Sequence, residues 1–129
     1  MSNSFKVIIA GSRGFCDFDH LRQVCNFFLK DMREKYDIEI VSGTARGADK
    51  LGEQYALSSG FKLTRFPADW NTHGKSAGFL RNTQMAVYAD ALISFQLNGS
   101  RGTAHMIREA KRLRLLHGNG MAKKFRSAA

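Results

Sequence analysis

The stretch FKVIIAGSRG, residues 5–14, decides the fold, because a mostly apolar run ends there in a short loop with two glycines. A strand that is apolar on both of its faces is typical of a parallel sheet covered by helices on both sides. Three further runs have the same character: IEIVSG (38–43), FKLTRFP (61–67) and DALISF (90–95). The sequence therefore predicts four buried strands.

Segments with helical spacing lie between these strands. After a potential N-cap at Asp17, apolar residues recur at intervals of three and four: Phe18, Leu21, Cys25, Phe28 and Met32. Shorter helices are predicted at about 47–59, 76–89 and 102–112. Strands that alternate with helices form α/β folds. We therefore predict one Rossmann-like domain, residues 1–117, with a mainly parallel sheet of about five strands, residues 113–116 supplying a short fifth strand.

The composition sets limits on the class of protein. A chain of 129 residues, 43% of them hydrophobic, suffices for one sizeable core. The N-terminus lacks a signal-peptide pattern, and no apolar run approaches the length that spans a bilayer. We therefore expect a cytoplasmic protein without a membrane partner. The two cysteines and four histidines show no metal-ligand spacing, so we expect neither a metal nor another cofactor.

The net charge of +9 is concentrated at the end of the chain. From residue 108 onward, seven Lys and Arg face one Glu, which gives +6; the first 107 residues have thirteen against ten, which gives +3. We favour a solvated helix face followed by a basic tail at 118–129. A surface for nucleic acid is the alternative.

The unusual motifs all follow predicted strands. In open α/β sheets the ligand lies at the carboxyl ends of the strands, and the loops there are 11–14, 42–49, 67–70 and 98–103. Glycine-rich loops let backbone N–H groups approach an anion, and three of these loops carry an arginine: Arg13, Arg46 and Arg101. Because guanidinium groups suit phosphates and carboxylates, the set predicts an anion site.

A P-loop is excluded for residues 73–76, HGKS. That motif needs a glycine five positions before Gly74, and Asp69 stands there. Lys75 could still reach a ligand as a single cation.

Several other side chains have two interpretations. Phe15 and Trp70 could stack on a base or close the top of the core. Arg81 and Asn82 lie about one helical turn beyond Gly78 and could face the pocket, or Arg81 could be a surface residue. His105 lies one turn into the helix opened by residues 102–103, where it could point to the ligand or be packed or solvated.

Taken together, the motifs resemble those of the SLOG superfamily, and most closely its YspA-like branch. The resemblance rests on GSRxF (11–15), SGTARGADxLG (42–52), YA (55–56), FPADW (66–70), GKxAG (74–78), RNxxM (81–85) and SRGTxHMI (100–107). It implies a Rossmann-like domain that binds nucleotides or their derivatives, as a sensor or a processing enzyme. Its relatives often form oligomers, so we expect a homo-oligomer.

Two related families imply more specific roles. In lonely-guy phosphoribohydrolases a PGGxGTxxE loop holds the phosphate and its glutamate takes part in catalysis; residues 102–103 match the GT, and Arg81 with Met85 resemble the catalytic RxxxM. The place of the glutamate falls near His105, so Arg81 and His105 are the catalytic candidates. In DNA-processing protein A, which binds single-stranded DNA, a similar SGxARGxD segment matches residues 42–49.

The first hypothesis is a binding module for a nucleotide or nucleotide derivative. The alternatives are a nucleotide N-glycosidase and a protein that binds single-stranded nucleic acid along residues 108–126. The predicted ligand-binding residues are Gly11, Ser12, Arg13, Gly14, Phe15, Ser42, Gly43, Thr44, Arg46, Gly47, Asp49, Asp69, Trp70, Lys75, Arg81, Asn82, Gly99, Ser100, Arg101, Gly102 and Thr103.

Overall fold

Five strands form one parallel sheet in the computed structural model, which describes residues 3–122. The strands are β1 (Ser4–Gly11), β2 (Asp37–Ser42), β3 (Lys62–Arg65), β4 (Ala91–Phe95) and β5 (Leu116–Asn119). Their order across the sheet is β3-β2-β1-β4-β5, and every pairing is parallel. The predicted Rossmann-like α/β fold is confirmed.

The helices are α1 (Phe18–Leu29), α2 (Met32–Lys35), α3 (Ala48–Ser59), α4 (Trp70–His73), α5 (Ala77–Tyr88) and α6 (Arg101–Arg112). The predicted cap is present, because the Asp17 side chain accepts a hydrogen bond from the His20 N–H at 3.0 Å. α1 ends at Leu29, so Met32 of the predicted helical spacing belongs to α2 instead. Among residues 3–122, no helix has the length and apolar character needed to cross a bilayer.

Both faces of the sheet are covered, which explains why its central strands are apolar throughout. Val7 and Ile9 of β1 belong to a core cluster that includes residues of α1 and α3. Ile8 and Ala10 point the other way, into a cluster with residues of α5 and α6. Alternate side chains of β1 therefore pack into two hydrophobic clusters, one on each face of the sheet.

The prediction for the fifth strand was wrong by three residues. β5 is Leu116–Asn119, whereas residues 113–115 form the turn that reverses the chain after α6. Arg114 has φ +62°, and the Leu115 N–H donates to the Ala110 carbonyl at 2.9 Å. Leu113 and Leu115 are apolar because they pack on the second core cluster. The predicted domain boundary at residue 117 falls inside β5, and residues 123–129 of the predicted tail lie outside the described residues.

The strand order reverses at the centre of the sheet. β1 leads to β2 and β3 on one side, whereas β4 and β5 lie on its other side. The loops after β1 and β4 therefore diverge to opposite faces and open a crevice above the carboxyl ends of these two strands.

Candidate functional site

A cleft of about 390 Å³ occupies this crevice. It lies between the loops after β1 and β2 and the facing sides of α5 and α6. Its lining residues are Ala10, Gly11, Arg13, Ala45, Asp49, Arg81, Asn82, Met85, Ser100, Gly102, Thr103 and Met106.

Eight of the predicted ligand-binding residues line the cleft: Gly11, Arg13, Asp49, Arg81, Asn82, Ser100, Gly102 and Thr103. Sequence reasoning missed Ala10, Ala45, Met85 and Met106 as lining residues. Ala10, Met85 and Met106 also belong to the second core cluster, so the floor of the cleft is the top of that core. The motifs RNxxM and SRGTxHMI, which include Met85 and Met106, gave the signal for this apolar floor.

Ser12 joins the loops around the cleft rather than lining it. Its hydroxyl donates to the Leu97 carbonyl at 3.1 Å and accepts from the Leu97 N–H at 2.7 Å. Its carbonyl accepts from the Ala48 N–H at 3.3 Å, at the start of α3. Ser12 therefore holds together three segments that are far apart in sequence.

Phe15 closes the core, as the second of its two interpretations predicts. The side chain is only 4% exposed, and its ring centroid lies 5.0 Å from that of Phe95. It belongs to the first core cluster and does not line the cleft.

The loop after β2 requires a glycine at position 47. Gly47 has φ +82°, and a Cβ atom there would lie 2.4 Å from the Ser12 carbonyl oxygen. In the same loop the Ser42 hydroxyl donates to Glu53 Oε2 at 2.7 Å and accepts from the Thr44 N–H at 3.0 Å. Ser42 thus connects the loop to Glu53 of α3, a residue that sequence reasoning missed.

Asp49 is the carboxylate of the cleft. Its side chain is largely buried, and Oδ2 accepts from the Ala45 N–H at 3.1 Å. Burial raises the pKa of Asp49 to about 6, although the Ala45 hydrogen bond and the positive charge of Arg81 act in the opposite direction. The group therefore changes charge close to neutral pH.

Arg81 is held in place by two acceptors. Its Nη1 donates to the Gly43 carbonyl, and its Nε donates to Asn82 Oδ1 at 3.0 Å. Burial lowers the pKa of Arg81, the Asp49 charge raises it, and the positive charge of Arg13 lowers it further. Two guanidinium groups are thus close enough to repel each other in the same cleft.

Asn82 connects Arg81 to α6. Its Nδ2 donates to the Gly102 carbonyl at 3.2 Å and lies 3.2 Å from His105 Nδ1. The His105 ring stacks on Phe79 with centroids 4.2 Å apart and planes 13° apart. His105 does not line the cleft, and its hydrogen bond with Asn82 connects it to the site.

The cleft also contains the beginning of α6. Asn98 and Gly99 have φ values of +47° and +68°, which turn the chain into the helix. Ser100 Oγ lies 3.1 Å from Thr103 Oγ1, so the two hydroxyls share a hydrogen bond. The first N–H groups of a helix have no partner within it and carry partial positive charge.

The other predicted residues do not line the cleft. Arg46, Arg101, Lys75 and Gly14 are exposed. Asp69 caps α4, where its Oδ1 accepts from the Thr72 N–H at 3.1 Å, and hydrogen bonds from Thr72 lower its pKa. Trp70 is 52% exposed and lies beside Gly78.

Comparison with known proteins assigns the family. Residues 5–73 match the family described as the YspA, cpYpsA-related SLOG family. The chain belongs to this SLOG family. The resemblance noted in the sequence is therefore confirmed.

One relative of this SLOG protein is the Gene 61 protein of Mycobacterium phage D29. The two are 38% identical over 113 residues, which are 83% of this chain and 89% of the phage protein.

Solved structures with the same fold include two DNA processing proteins A. The protein from Streptococcus pneumoniae has a TM-score of 0.68 and 15% identity, over 98% of this chain but only 56% of that protein. The protein from Helicobacter pylori, whose structure concerns a single-stranded DNA binding mode, has a TM-score of 0.64 and 17% identity, over 96% of this chain and 73% of that protein.

Proposed function

We propose that this SLOG protein binds a nucleotide or nucleotide derivative in the cleft, as a sensor or sequestering module. The observation that carries the proposal is the convergence of Arg13, Arg81 and the beginning of α6 on one cleft. Two guanidinium groups that repel each other, next to the positive end of a helix, are stabilised when an anion lies between them.

The polar groups are arranged to suit a phosphate bound to a sugar and a base. Arg13, the N–H groups of residues 101–103 and the hydroxyls of Ser100 and Thr103 would hold the phosphate, with Arg81 supplying the second positive charge. Asp49 would accept a hydrogen bond from a ribose hydroxyl or a base amine. The apolar floor, which includes Met85 and Met106, would contact the base or the sugar. A cleft of about 390 Å³ lies within the usual range for small-molecule sites.

Binding without rapid turnover is the form of this function that we favour. Cleavage of an N-glycosidic bond develops positive charge on the ribose, which a carboxylate stabilises. His105 lies behind Asn82 and offers no carboxylate. Asp49 is a carboxylate of the cleft, and it is the residue we would expect to act if the protein were a nucleotide N-glycosidase.

A second candidate function is the binding of single-stranded nucleic acid. It is favoured by the exposed basic side chains of α6 and the turn after it, namely Arg101, Arg108, Lys111, Arg112 and Arg114. The likeness to DNA processing protein A adds support, since one of those structures concerns a single-stranded DNA binding mode.

Calorimetric titration with inorganic phosphate and a panel of nucleoside monophosphates tests the first function. We expect Arg81→Ala and Thr103→Val each to weaken nucleotide affinity by about tenfold or more, because each removes a polar contact with the anion. Arg46→Ala is the matched control, since Arg46 is exposed and does not line the cleft, and its affinity should equal that of the wild type. Equal affinities in all four proteins would place the nucleotide elsewhere.

Catalysis is tested by incubating the protein with the same panel of nucleoside monophosphates and following the release of free base by chromatography. We expect base release to be far slower than about one turnover per second, the lower end of ordinary enzyme rates. Faster release that Asp49→Asn or Arg81→Ala abolishes would instead establish the enzyme.

A further inference from the structure

A chain of hydrogen bonds leads from the cleft to His105, on the side of α6 that faces α5. Arg81 Nε donates to Asn82 Oδ1 at 3.0 Å, and Asn82 Nδ2 lies 3.2 Å from His105 Nδ1. Asn82 is 6% exposed, so water offers little replacement for these partners. The orientation of Arg81 thus depends, through Asn82, on a residue that does not itself line the cleft, His105.

The two outer partners of Asn82 determine which way its amide faces. The guanidinium of Arg81 only donates, so the amide oxygen must face it. The Gly102 carbonyl only accepts, so the NH₂ group must face that carbonyl, at 3.2 Å. The same NH₂ group faces His105 Nδ1, which must therefore be an acceptor. An imidazolium ring has no lone pair with which to accept, so only the neutral ring with its proton on Nε2 completes the chain.

The surroundings of the ring also favour its neutral form. Burial lowers the pKa of His105; the charged groups that act on it within the described residues are Glu109, which raises the pKa, and Arg108 and Arg112, which lower it. All three belong to α6. The Glu109 carboxylate is already engaged, because it accepts from Arg112 at 2.9 Å and from Thr83 at 2.8 Å. On the α5 side the ring meets Phe79 and Asn82, neither of which titrates.

We propose that His105 is a positioning residue that makes anion binding in the cleft sensitive to pH. The neutral ring fixes Asn82, and Asn82 fixes Arg81. Protonation places an N–H opposite the Asn82 NH₂ group, so the chain breaks and Arg81 loses its Asn82 acceptor. Anion affinity then falls as the solution becomes acidic. This deepens the proposed function and rests on it, because Arg81 is taken to contact the anion.

The hydrogen-bond chain from Arg81 through Asn82 to His105 is called the relay below. NMR spectroscopy of the ligand-free protein tests this relay by itself. Long-range ¹⁵N spectra should show His105 at about pH 8 with its proton on Nε2. Compared with a solvent-exposed arginine at the same pH, the Arg81 Nε–H should be protected from exchange at about pH 8 and should lose this protection when His105 is protonated. A proton on Nδ1 at neutral pH would refute the relay, as would Arg81 exchange that is independent of His105.

Two substitutions then separate positioning from packing. Asn at position 105 can offer an oxygen near the place of Nδ1 but does not titrate, whereas Leu offers no acceptor. We expect His105→Asn to bind inorganic sulfate at about pH 8 within about twofold of the wild type, and His105→Leu to bind about fivefold more weakly. Equal affinities for all three would show that the ring acts only as packing.

The pH dependence is measured in an Asp49→Asn background, because Asp49 titrates near pH 6. Sulfate remains a dianion between about pH 8 and pH 5.5. Over that range we expect affinity to fall as His105 becomes protonated, by up to about fivefold, and to stay constant with His105→Asn. A rise in affinity on acidification, or the same fall in both proteins, would overturn the proposal. If no protein binds sulfate or nucleotides, the proposed function fails, while the NMR experiment still decides whether the relay exists.

Discussion

Asp49 places an ionisable carboxyl group where burial favours the neutral acid. It is 5% exposed, and its pKa is about 6 rather than the usual 3.8. A carboxyl pKa that is raised on folding contributes stability below the unfolded value, and this contribution is lost as pH rises through the folded value. At neutral pH the ionised carboxylate of Asp49 therefore lowers the free energy of unfolding. Ionisable groups with shifted pKa values are common in ligand-binding sites.

The substitution Asp49→Asn should reveal this effect. As pH falls from about 7.5 to about 5, the folded wild type takes up a proton that the unfolded chain does not. We expect its free energy of unfolding to rise by about 1 kcal/mol relative to that of the variant. Urea unfolding of both proteins across this range measures the difference. Two pH profiles that run parallel would mean that Asp49 titrates as an exposed carboxyl group does.

The sequence shows which side chains meet in the cleft where backbone position alone decides their location. Arg13 lies in the loop after β1, whereas Asp49 and Thr103 lie in the first turns of the helices that follow β2 and β4. The topology brings all three into one cleft. Ser12 and Ser42 occupy equally good positions, yet their hydroxyls bond to Leu97 and Glu53. Those partners lie elsewhere in the chain, and no local pattern identifies them.

Among the connections between elements, the close approach of the loops after β1 and β2 depends on a single glycine, Gly47. Gly47 lies between β2 and α3, with its φ of +82° and the Ser12 carbonyl where a Cβ would be. Any side chain there must push apart the loops that form one wall of the cleft.

Gly47→Ala should destabilise the protein by at least about 3 kcal/mol, because strain in the backbone and a clash with main-chain atoms add together. Gly14→Ala is the matched control, since a Cβ at Gly14 meets nothing within 4 Å. That change should stay within about 0.5 kcal/mol of the wild type. Thermal or urea unfolding compares the two. Similar losses for both alanines would show that the loops separate easily.

Among the elements, the first four strands followed from their apolar runs and the long helices from periodicity, whereas α2 and α4 were not predicted and β5 was misplaced. β5 contains a histidine, a glycine and an asparagine, because an edge strand with exposed side chains needs little apolar character. The more apolar residues before it, Leu113 and Leu115, instead pack on the core from a turn. The one-turn helix α4 has too few residues to show any period.

Charge is distributed unevenly over the whole molecule. The basic side chains of α6 and the following turn are exposed, and the sequence beyond residue 107 carries most of the excess positive charge. A nucleic acid held by such a surface releases counterions when it binds, so its affinity depends steeply on salt.

A fluorescent single-stranded oligonucleotide titrated at several salt concentrations tests this surface. Removing two phosphate contacts with Arg108→Ala and Lys111→Ala should reduce the salt slope by about 1.4. The matched control is Arg22→Ala with Lys30→Ala, exposed cations at α1. It should leave the slope unchanged, and both double variants should keep the nucleotide affinity of the cleft. No binding at low salt, or equal slopes in all three proteins, would exclude a nucleic-acid surface on α6.

The central pairing of the sheet also sets the order of events as the chain leaves the ribosome. β1 pairs with β2, which is made soon after it, but its other neighbour is β4, where Val7 lies opposite Ala91. The backbone groups on one edge of β1 must therefore stay unpaired until most of the chain has been synthesised. Pairings between distant segments form slowly and expose aggregation-prone strands meanwhile. The cleft lies above this pairing, so it cannot form before β4 and the beginning of α6 have been made. A stalled or truncated chain that ends before β4 would carry the arginine-bearing loops at 11–14 and 42–49 without a site.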